Sequence, residues 1–283
     1  MIIVRLKGGV GNQLFQYALG GALQKHYGVP VSYDISKYKN DPLRKFELHA
    51  LDPNIAEEGS IRAFFSPSLM ERIKGKLKAK QGNEIIKELP KQEWCFNGDI
   101  FKMNERSLYL DGYWQSPRYF ELFQTDLRKQ FAQLIIPEQS TMGDNYVNSV
   151  AIHVRRGDYV NSNLTSEIYS ALPLAYYQSA INLMEASNRN LKFYLFSDDL
   201  SWCREHFKNV NVSFMENSDS PLFDLALMSR MEHHIIANST FSWWAAWLNE
   251  NPSKIVVAPK QWFKDSNMNE SAKELIPESW IRV

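Results

Sequence analysis

Hydrophobic and polar positions alternate between two rhythms along this chain, one short and branched, the other helical. The chain opens with Ile2-Ile3-Val4-Arg5-Leu6, a run of branched residues that predicts a buried strand. Lys7-Gly8-Gly9-Val10-Gly11 follows as a tight turn. From about Asn12 to Tyr27 the apolar residues Phe15, Ala18, Leu19, Ala22 and Leu23 recur at helical spacing, with Asn12 suited to cap the start and Gly28 the end. Val29–Tyr33 predicts the next strand, which completes a strand–loop–helix–strand opening of the nucleotide-binding type. Residues 40–105 are less regular, although Phe64–Lys80 predicts a basic helix, read as a solvated face. Leu108–Leu110 predicts a short strand, and a helix is expected from about Pro117 to Phe131. The polar stretch Pro137–Asn148 reads as a link between two domains, 1–145 and 146–283.

The second half alternates more cleanly. Strands are predicted at Val150–Val154, Lys192–Phe196, Val210–Met215, His234–Ala237 and Ile255–Ala258. Helices are predicted between them, near Leu174–Ser187, Leu200–Phe207, Leu222–Met231 and Phe241–Asn249. Such alternation implies an α/β fold with a parallel sheet covered on both faces. Ligands of these sheets bind at the carboxyl ends of the strands.

Composition narrows the function. Lys+Arg and Asp+Glu are both 32, so the formal net charge is zero, which argues against broad nucleic-acid binding. Apolar residues at 44% and charged residues at 23% fit a globular protein rather than a disordered one. Aromatics reach 13%; most are expected in the core, and some are available to stack on sugars. Cys95 and Cys203 fit no metal spacing and suggest a reduced compartment or simple burial. No apolar run approaches a membrane span, and the N-terminus does not read as a secretory signal. The Asn-x-Ser/Thr sequons at Asn163, Asn211, Asn238 and Asn269 read as chance occurrences.

Four clusters carry chemistry. His153-Val154-Arg155-Arg156-Gly157-Asp158-Tyr159 begins inside a strand and ends beyond it. Arginine's planar fork suits phosphate, and an Arg156–Asp158 ion pair is the structural alternative. Asn238-Ser239-Thr240-Phe241-Ser242-Trp243-Trp244 opens a helix, where hydroxyls and free N–H groups make an anion site or simply a cap, while Trp243, Trp244 and Trp247 read as core. Phe196-Ser197-Asp198-Asp199 places carboxylates at a strand end, either to accept from a guanine or to cap the next helix. The glycine turn Gly8-Gly9-Val10-Gly11-Asn12-Gln13 lacks the lysine of a P-loop but permits close backbone approach to a ligand. No aspartates stand at i and i+2, and no GxSxG or HExxH occurs, so metal-assisted nucleotide-sugar chemistry and serine hydrolysis are not expected.

Together with Gly112-Tyr113-Trp114-Gln115-Ser116, these clusters resemble, in order, the motifs of the bacterial α-1,2-fucosyltransferases of glycosyltransferase family 11. The resemblance implies a GT-B-type fold, two Rossmann-like domains facing a cleft. It also implies GDP-β-L-fucose as co-substrate with no further cofactor, inversion at the anomeric carbon, and transfer to O2 of a terminal β-galactoside of an O-antigen unit or free oligosaccharide. By that likeness Arg155 holds the pyrophosphate, with His153 and Asp198 near the guanosine. Thr240, Phe241 and Ser242 are expected at the β-phosphate, and Gly9, Gly11, Asn12, Gln13 and Ser239 line the donor. Tyr113 and Trp114 are expected on the acceptor side. Without metal, Arg155 and backbone N–H groups must neutralise the leaving group. The general base stays open between Asp158, which also suits orienting an arginine, Glu167 in the polar loop Asn161–Ser170, and no side chain at all. The expected setting is the bacterial cytoplasm, at the inner membrane face where the acceptor is lipid-linked. Another GDP-sugar transferase, or a silent GDP-sugar or glycan-binding module, are the alternatives.

Overall fold

A computed structural model describes the chain apart from residues 54, 56–82, 88–93, 104–106, 134–145, 188–189 and 209. The basic helix expected at 64–80 and most of the link expected at 137–148 lie outside the described residues. The chain divides into two units, Met1–Gln130 and Phe131–Val283.

Unit 1 contains β1 (Ile2–Arg5), α1 (Val10–Tyr27), β2 (Val31–Asp34), β3 (Asn83–Lys87), β4 (Ser107–Asp111) and the start of α2 (Gln124–Ala132). The four strands form a parallel sheet in the order β2-β1-β4-β3. α1 starts two residues earlier than its apolar pattern predicts. Gly9, in an extended conformation, is its N-cap without a side-chain bond, so Asn12 sits inside the first turn. Gly28 ends the helix in the left-handed region at φ 65°, as expected, with its N–H donated to Gln24. Two glycines let α1 press close to its neighbours: a Cβ on Gly20 would lie 2.4 Å from the Tyr33 hydroxyl, and one on Gly21 2.5 Å from the Phe123 ring. β3 lies in the stretch that reads as irregular.

Unit 2 contains β5 (Ser149–Val154), α3 (Gly157–Asn161), α4 (Asn163–Ile168), α5 (Leu174–Ser187), β6 (Lys192–Ser197), α6 (Leu200–His206) and β7 (Val212–Phe214). It continues with α7 (Pro221–Ser229), β8 (His233–Ile235), α8 (Thr240–Leu248), β9 (Val256–Ala258), α9 (Ser266–Ser271) and β10 (Ile281–Arg282). Its sheet is parallel throughout, in the order β10-β9-β8-β5-β6-β7. Counted within the unit this is 6-5-4-1-2-3, the doubly wound order of a Rossmann fold. The chain is therefore of the α/β, GT-B type, built from two Rossmann-like units.

β5 is buried along its whole length because it is the central strand, which explains its apolar run. Val150, Ile152 and Val154 share a core cluster with Tyr177, Ile181 and Met184, placed on one side of α5 by helical spacing. Each such side chain contributes on the order of 1.5–3 kcal/mol by leaving water. Among the described residues no helix is long and apolar enough to cross a membrane.

Candidate functional site

In a doubly wound sheet the loops part where the strand order reverses, and ligands bind there. In unit 2 that point lies between β5 and β8. The sequence clusters emerge at the carboxyl ends of β5, β6 and β8, so the fold brings His153, Arg155, Asp158, Asp198 and Ser239–Ser242 to one end of one sheet.

The chain leaves β5 at Val154, and the next two residues are the arginines. Arg155 is gripped from two sides. One terminal nitrogen lies 2.7 Å from Asp158 Oδ1, the other 3.0 Å from Asp198 Oδ2. Burial opposes its charge, but Asp198 and Asp158 outweigh that effect and raise its pKa further. Arg156 pairs with Asp199, not with Asp158: its Nε lies 3.2 Å from Asp199 Oδ2, and its guanidinium lies 3.9 Å from the centre of the Trp202 ring. Asp199 also caps α6, accepting from the Trp202 N–H at 3.1 Å. The expectation that one of the two aspartates caps the following helix therefore falls on Asp199.

His153 is buried, and its Nδ1 lies 2.9 Å from Ser242 Oγ. Burial, reinforced by the Arg155 charge, lowers its pKa to about 3, so the ring is neutral at physiological pH. Ser242 Oγ also lies within reach of the Ser239 carbonyl at 3.3 Å, to which it donates. The hydroxyl then accepts from His153, which assigns the proton to Nδ1 and leaves the lone pair on Nε2. Ser239 is the N-cap of α8, its Oγ accepting from the Phe241 N–H at 3.3 Å. Phe241 lies beside His153, with ring centres 5.2 Å apart. Thr240 begins the helix and is half-buried. Asn238 is buried, and its side-chain amide donates to the carbonyls of Ser170 and Trp262 at 3.0 Å each, so its sequon is structural. Trp243 and Trp244 are fully buried, and Trp247 stacks on Trp243.

Glu167 does not lie in a loop. It is exposed on α4, which Ser162 caps and which Lys264 ties down through the Ile168 carbonyl at 3.0 Å.

The remaining predicted residues belong to unit 1, around the corresponding reversal between β1 and β4. Gly8 has φ 82°, a conformation glycine adopts without strain, and a Cβ there would meet the Asn12 amide nitrogen at 2.6 Å. Gly9 ends the extended segment beneath Arg44, and Gly11 is buried in the first turn of α1. Asn12 accepts from Gln115 Nε2 at 2.8 Å. Gln13 is fully buried, which differs from a ligand-facing expectation. Its amide nitrogen donates to the carbonyls of Gly8 at 3.1 Å and Lys45 at 2.8 Å, and its oxygen accepts from the Glu47 N–H at 2.9 Å. It shapes the turn. Trp114 also departs from expectation: at 2% exposure and φ 55°, with its ring edge-on to Tyr119 at 5.6 Å, it packs in the core and offers no open face to a sugar. Tyr113 is half-buried, with the Lys7 ammonium 4.6 Å above its ring. Lys7 and Arg5 both pair with Asp111, at 3.0 and 2.9 Å. This triad has no motif of its own in the sequence, whereas Gln16, a glutamine on the apolar side of α1 three residues from Gln13, is itself a signal of a buried polar contact.

The family model described as Glycosyl transferase family 11 matches residues 1–283. An α-1,2-colitosyltransferase of Escherichia coli is 32% identical, over 100% of this chain and 99% of its own length. The O-antigen biosynthesis glycosyltransferase WbnK of Escherichia coli is 29% identical over 98% of this chain and 99% of its own. Among solved structures, the fucosyltransferase NodZ from Bradyrhizobium aligns with a TM-score of 0.48 and 17% identity, over 87% of this chain and 90% of NodZ.

Proposed function

The chain belongs to glycosyl transferase family 11, and we propose that it is an inverting fucosyltransferase that moves L-fucose from GDP-β-L-fucose to O2 of a terminal β-galactoside. The observation that carries this reading is Arg155, held between Asp158 and Asp198 just beyond β5, at the strand reversal of unit 2. A guanidinium fixed in direction at the carboxyl end of a central strand, on the same sheet end as a helix N-terminus, suits a pyrophosphate.

In the proposed reaction the acceptor oxygen attacks the anomeric carbon as the bond to the β-phosphate oxygen breaks, with inversion. Negative charge then grows on the departing GDP. Arg155 and the first N–H groups of α8 stabilise that charge where it develops, so they act more strongly on the transition state than on the bound donor. No metal is required in this scheme. The proton of the acceptor hydroxyl passes to Glu167, exposed on α4, or late in the reaction to water or the departing phosphate, while Asp158, with one oxygen on Arg155, positions the arginine. The setting is O-antigen or oligosaccharide assembly in the bacterial cytoplasm, at the inner membrane face where the acceptor is lipid-linked.

The test is GDP release from GDP-fucose with and without β-galactosides, with the linkage read by NMR. An α-1,2 product supports the reading. GDP release that no acceptor stimulates would mark a hydrolase, and GDP binding without turnover would mark a silent module. Whole-length similarity to a colitosyltransferase favours one second reading, a donor carrying colitose. Supplying both donors at equal concentration decides between them.

A further inference from the structure

We propose that Asp198 is a positioning residue for Arg155, that Gly157 provides the space it needs, and that Asp198 does not read the guanine base. This rests on the proposal that Arg155 holds the donor's pyrophosphate.

Strand register sets up the contact. β5 and β6 are parallel with Val154 opposite Ser197, so the next residues off each strand, Arg155 and Asp198, emerge side by side. Asp198 Oδ2 lies 3.0 Å from Arg155, and Oδ1 accepts the Arg156 N–H at 2.9 Å. The backbone of Gly157 closes over the same carboxylate, since a Cβ on Gly157 would lie 2.7 Å from Oδ2. To read guanine, a carboxylate must present both oxygens along one free edge to the N1–H and the exocyclic amine. Here the two oxygens are engaged by consecutive residues of the β5 loop, and the Oδ2 side is closed by a third.

The neighbouring pair repeats the arrangement. Asp199 holds Arg156, whose plane rests on Trp202. Consecutive aspartates at the end of one strand thus fix consecutive arginines at the end of the next, one each. Asp158 completes the grip on Arg155 from the far side. The guanidinium is fixed in direction before any ligand arrives, which lowers the cost of organising it during the reaction.

Gly157 supplies an independent probe. It is the first residue of α3, and its φ is not positive, so alanine fits the backbone and favours the helix. The only new feature of Gly157→Ala is a methyl group where Asp198 now sits. The experiment is a double-mutant cycle with Asp198→Asn and Arg155→Ala, read as kcat/KM and as GDP affinity by calorimetry, with inosine diphosphate as a second ligand that lacks the exocyclic amine.

Asp198→Asn and Gly157→Ala should each lower kcat/KM by up to about 10²-fold, the scale for misplacing a reacting group by an ångström. Neither should reduce activity further once Arg155 is alanine, and the preference for GDP over inosine diphosphate should stay at the wild-type ratio. Additive losses, a collapsed base preference in Asp198→Asn, or a wild-type Gly157→Ala would each overturn the proposal. If Asp198→Asn fails to fold, the cycle between Gly157→Ala and Arg155→Ala carries the same test. A wild-type chain that binds no GDP would overturn the donor reading and this proposal with it. A chain that binds GDP with additive mutants would overturn this proposal alone.

Discussion

Replacing Arg155 with lysine keeps the charge and removes the fork, so its effect follows from counting donors. A guanidinium has five N–H groups and an ammonium three. Asp158 and Asp198 each take one donor from Arg155, at 2.7 and 3.0 Å. Three remain for phosphate oxygens, whereas a lysine meeting the same two carboxylates keeps one. Two lost charge-assisted bonds, at about 1.5–3 kcal/mol each, amount to about 3–6 kcal/mol against the departing GDP. The retained positive charge offsets part of this, so Arg155→Lys should lower kcat/KM by about 10²–10³-fold. Arg155→Ala should lose more, because Asp158 and Asp198 are then left facing a polyanionic donor. The assay is steady-state GDP release over a GDP-fucose titration, with thermal melting of each variant as a folding control. Asp158→Asn belongs in the same series: weaker GDP binding with an unchanged pH–rate profile fits positioning, and loss of the acidic limb fits base catalysis. Wild-type turnover in Arg155→Lys, or equal losses in the lysine and alanine variants, would refute the donor count.

Acid should destabilise the fold through His234, whose pKa burial lowers to about 3 beside Lys254 and His233. A folded pKa below the unfolded value of about 6.5 means stability that is complete above pH ~6.5 and is lost as pH falls toward 3, by up to about 1.4 kcal/mol per pH unit; Tm measured against pH should therefore fall less steeply in His234→Asn. Trp114→Ala should cost about 3–5 kcal/mol in urea denaturation while leaving donor and acceptor KM near wild type, and a selective rise in acceptor KM with full stability would restore a sugar-facing role for that ring. Activity should survive EDTA, and complete loss reversed only by Mn²⁺ or Mg²⁺ would refute charge neutralisation by Arg155 and α8 alone.

What was legible in the sequence is what depends on local pattern. The apolar run before Arg155 marked both a buried strand and its end, because arginines cannot continue a strand covered on both faces. Strand–helix alternation in the second half gave the parallel sheet, and Gly28 marked the end of α1. α1 starts ahead of its apolar pattern because Gly9 caps it through backbone conformation alone. α3 and α4 read as a loop because five- and six-residue helices are too short to show a period. Trp114 follows a strand in an aromatic run, and its burial depends on a positive φ that no neighbouring residue announces. Asp198 was assigned by its place in a motif. Its actual contacts depend on the register between β5 and β6, which lies in the pairing of distant segments.

The same physical problem recurs at both strand reversals and is solved in the same way. Where neighbouring strands part, their loops lose backbone pairing, yet buried N–H and C=O groups must still be satisfied. In unit 2, Tyr159 bridges the gap by donating to the Asn238 carbonyl at 2.8 Å, and His153 bridges it again through Ser242 at 2.9 Å. In unit 1, Gln16 accepts from the Lys7 N–H at 2.9 Å and donates to the Gly112 carbonyl at 3.0 Å, so one amide joins the ends of β1 and β4. Gln115 then reaches Asn12, and Asp111 reaches Arg5 and Lys7. Side chains thus replace the missing ladder bonds at the places where a parallel sheet opens to ligands. This accounts for polar residues that the helical pattern of α1 would not select. It also explains why motifs far apart in the sequence carry Gln, Asn, His and Tyr beside their charged groups: the neutral polar residues tie the parted strand ends together at the end of the sheet where the charged groups emerge.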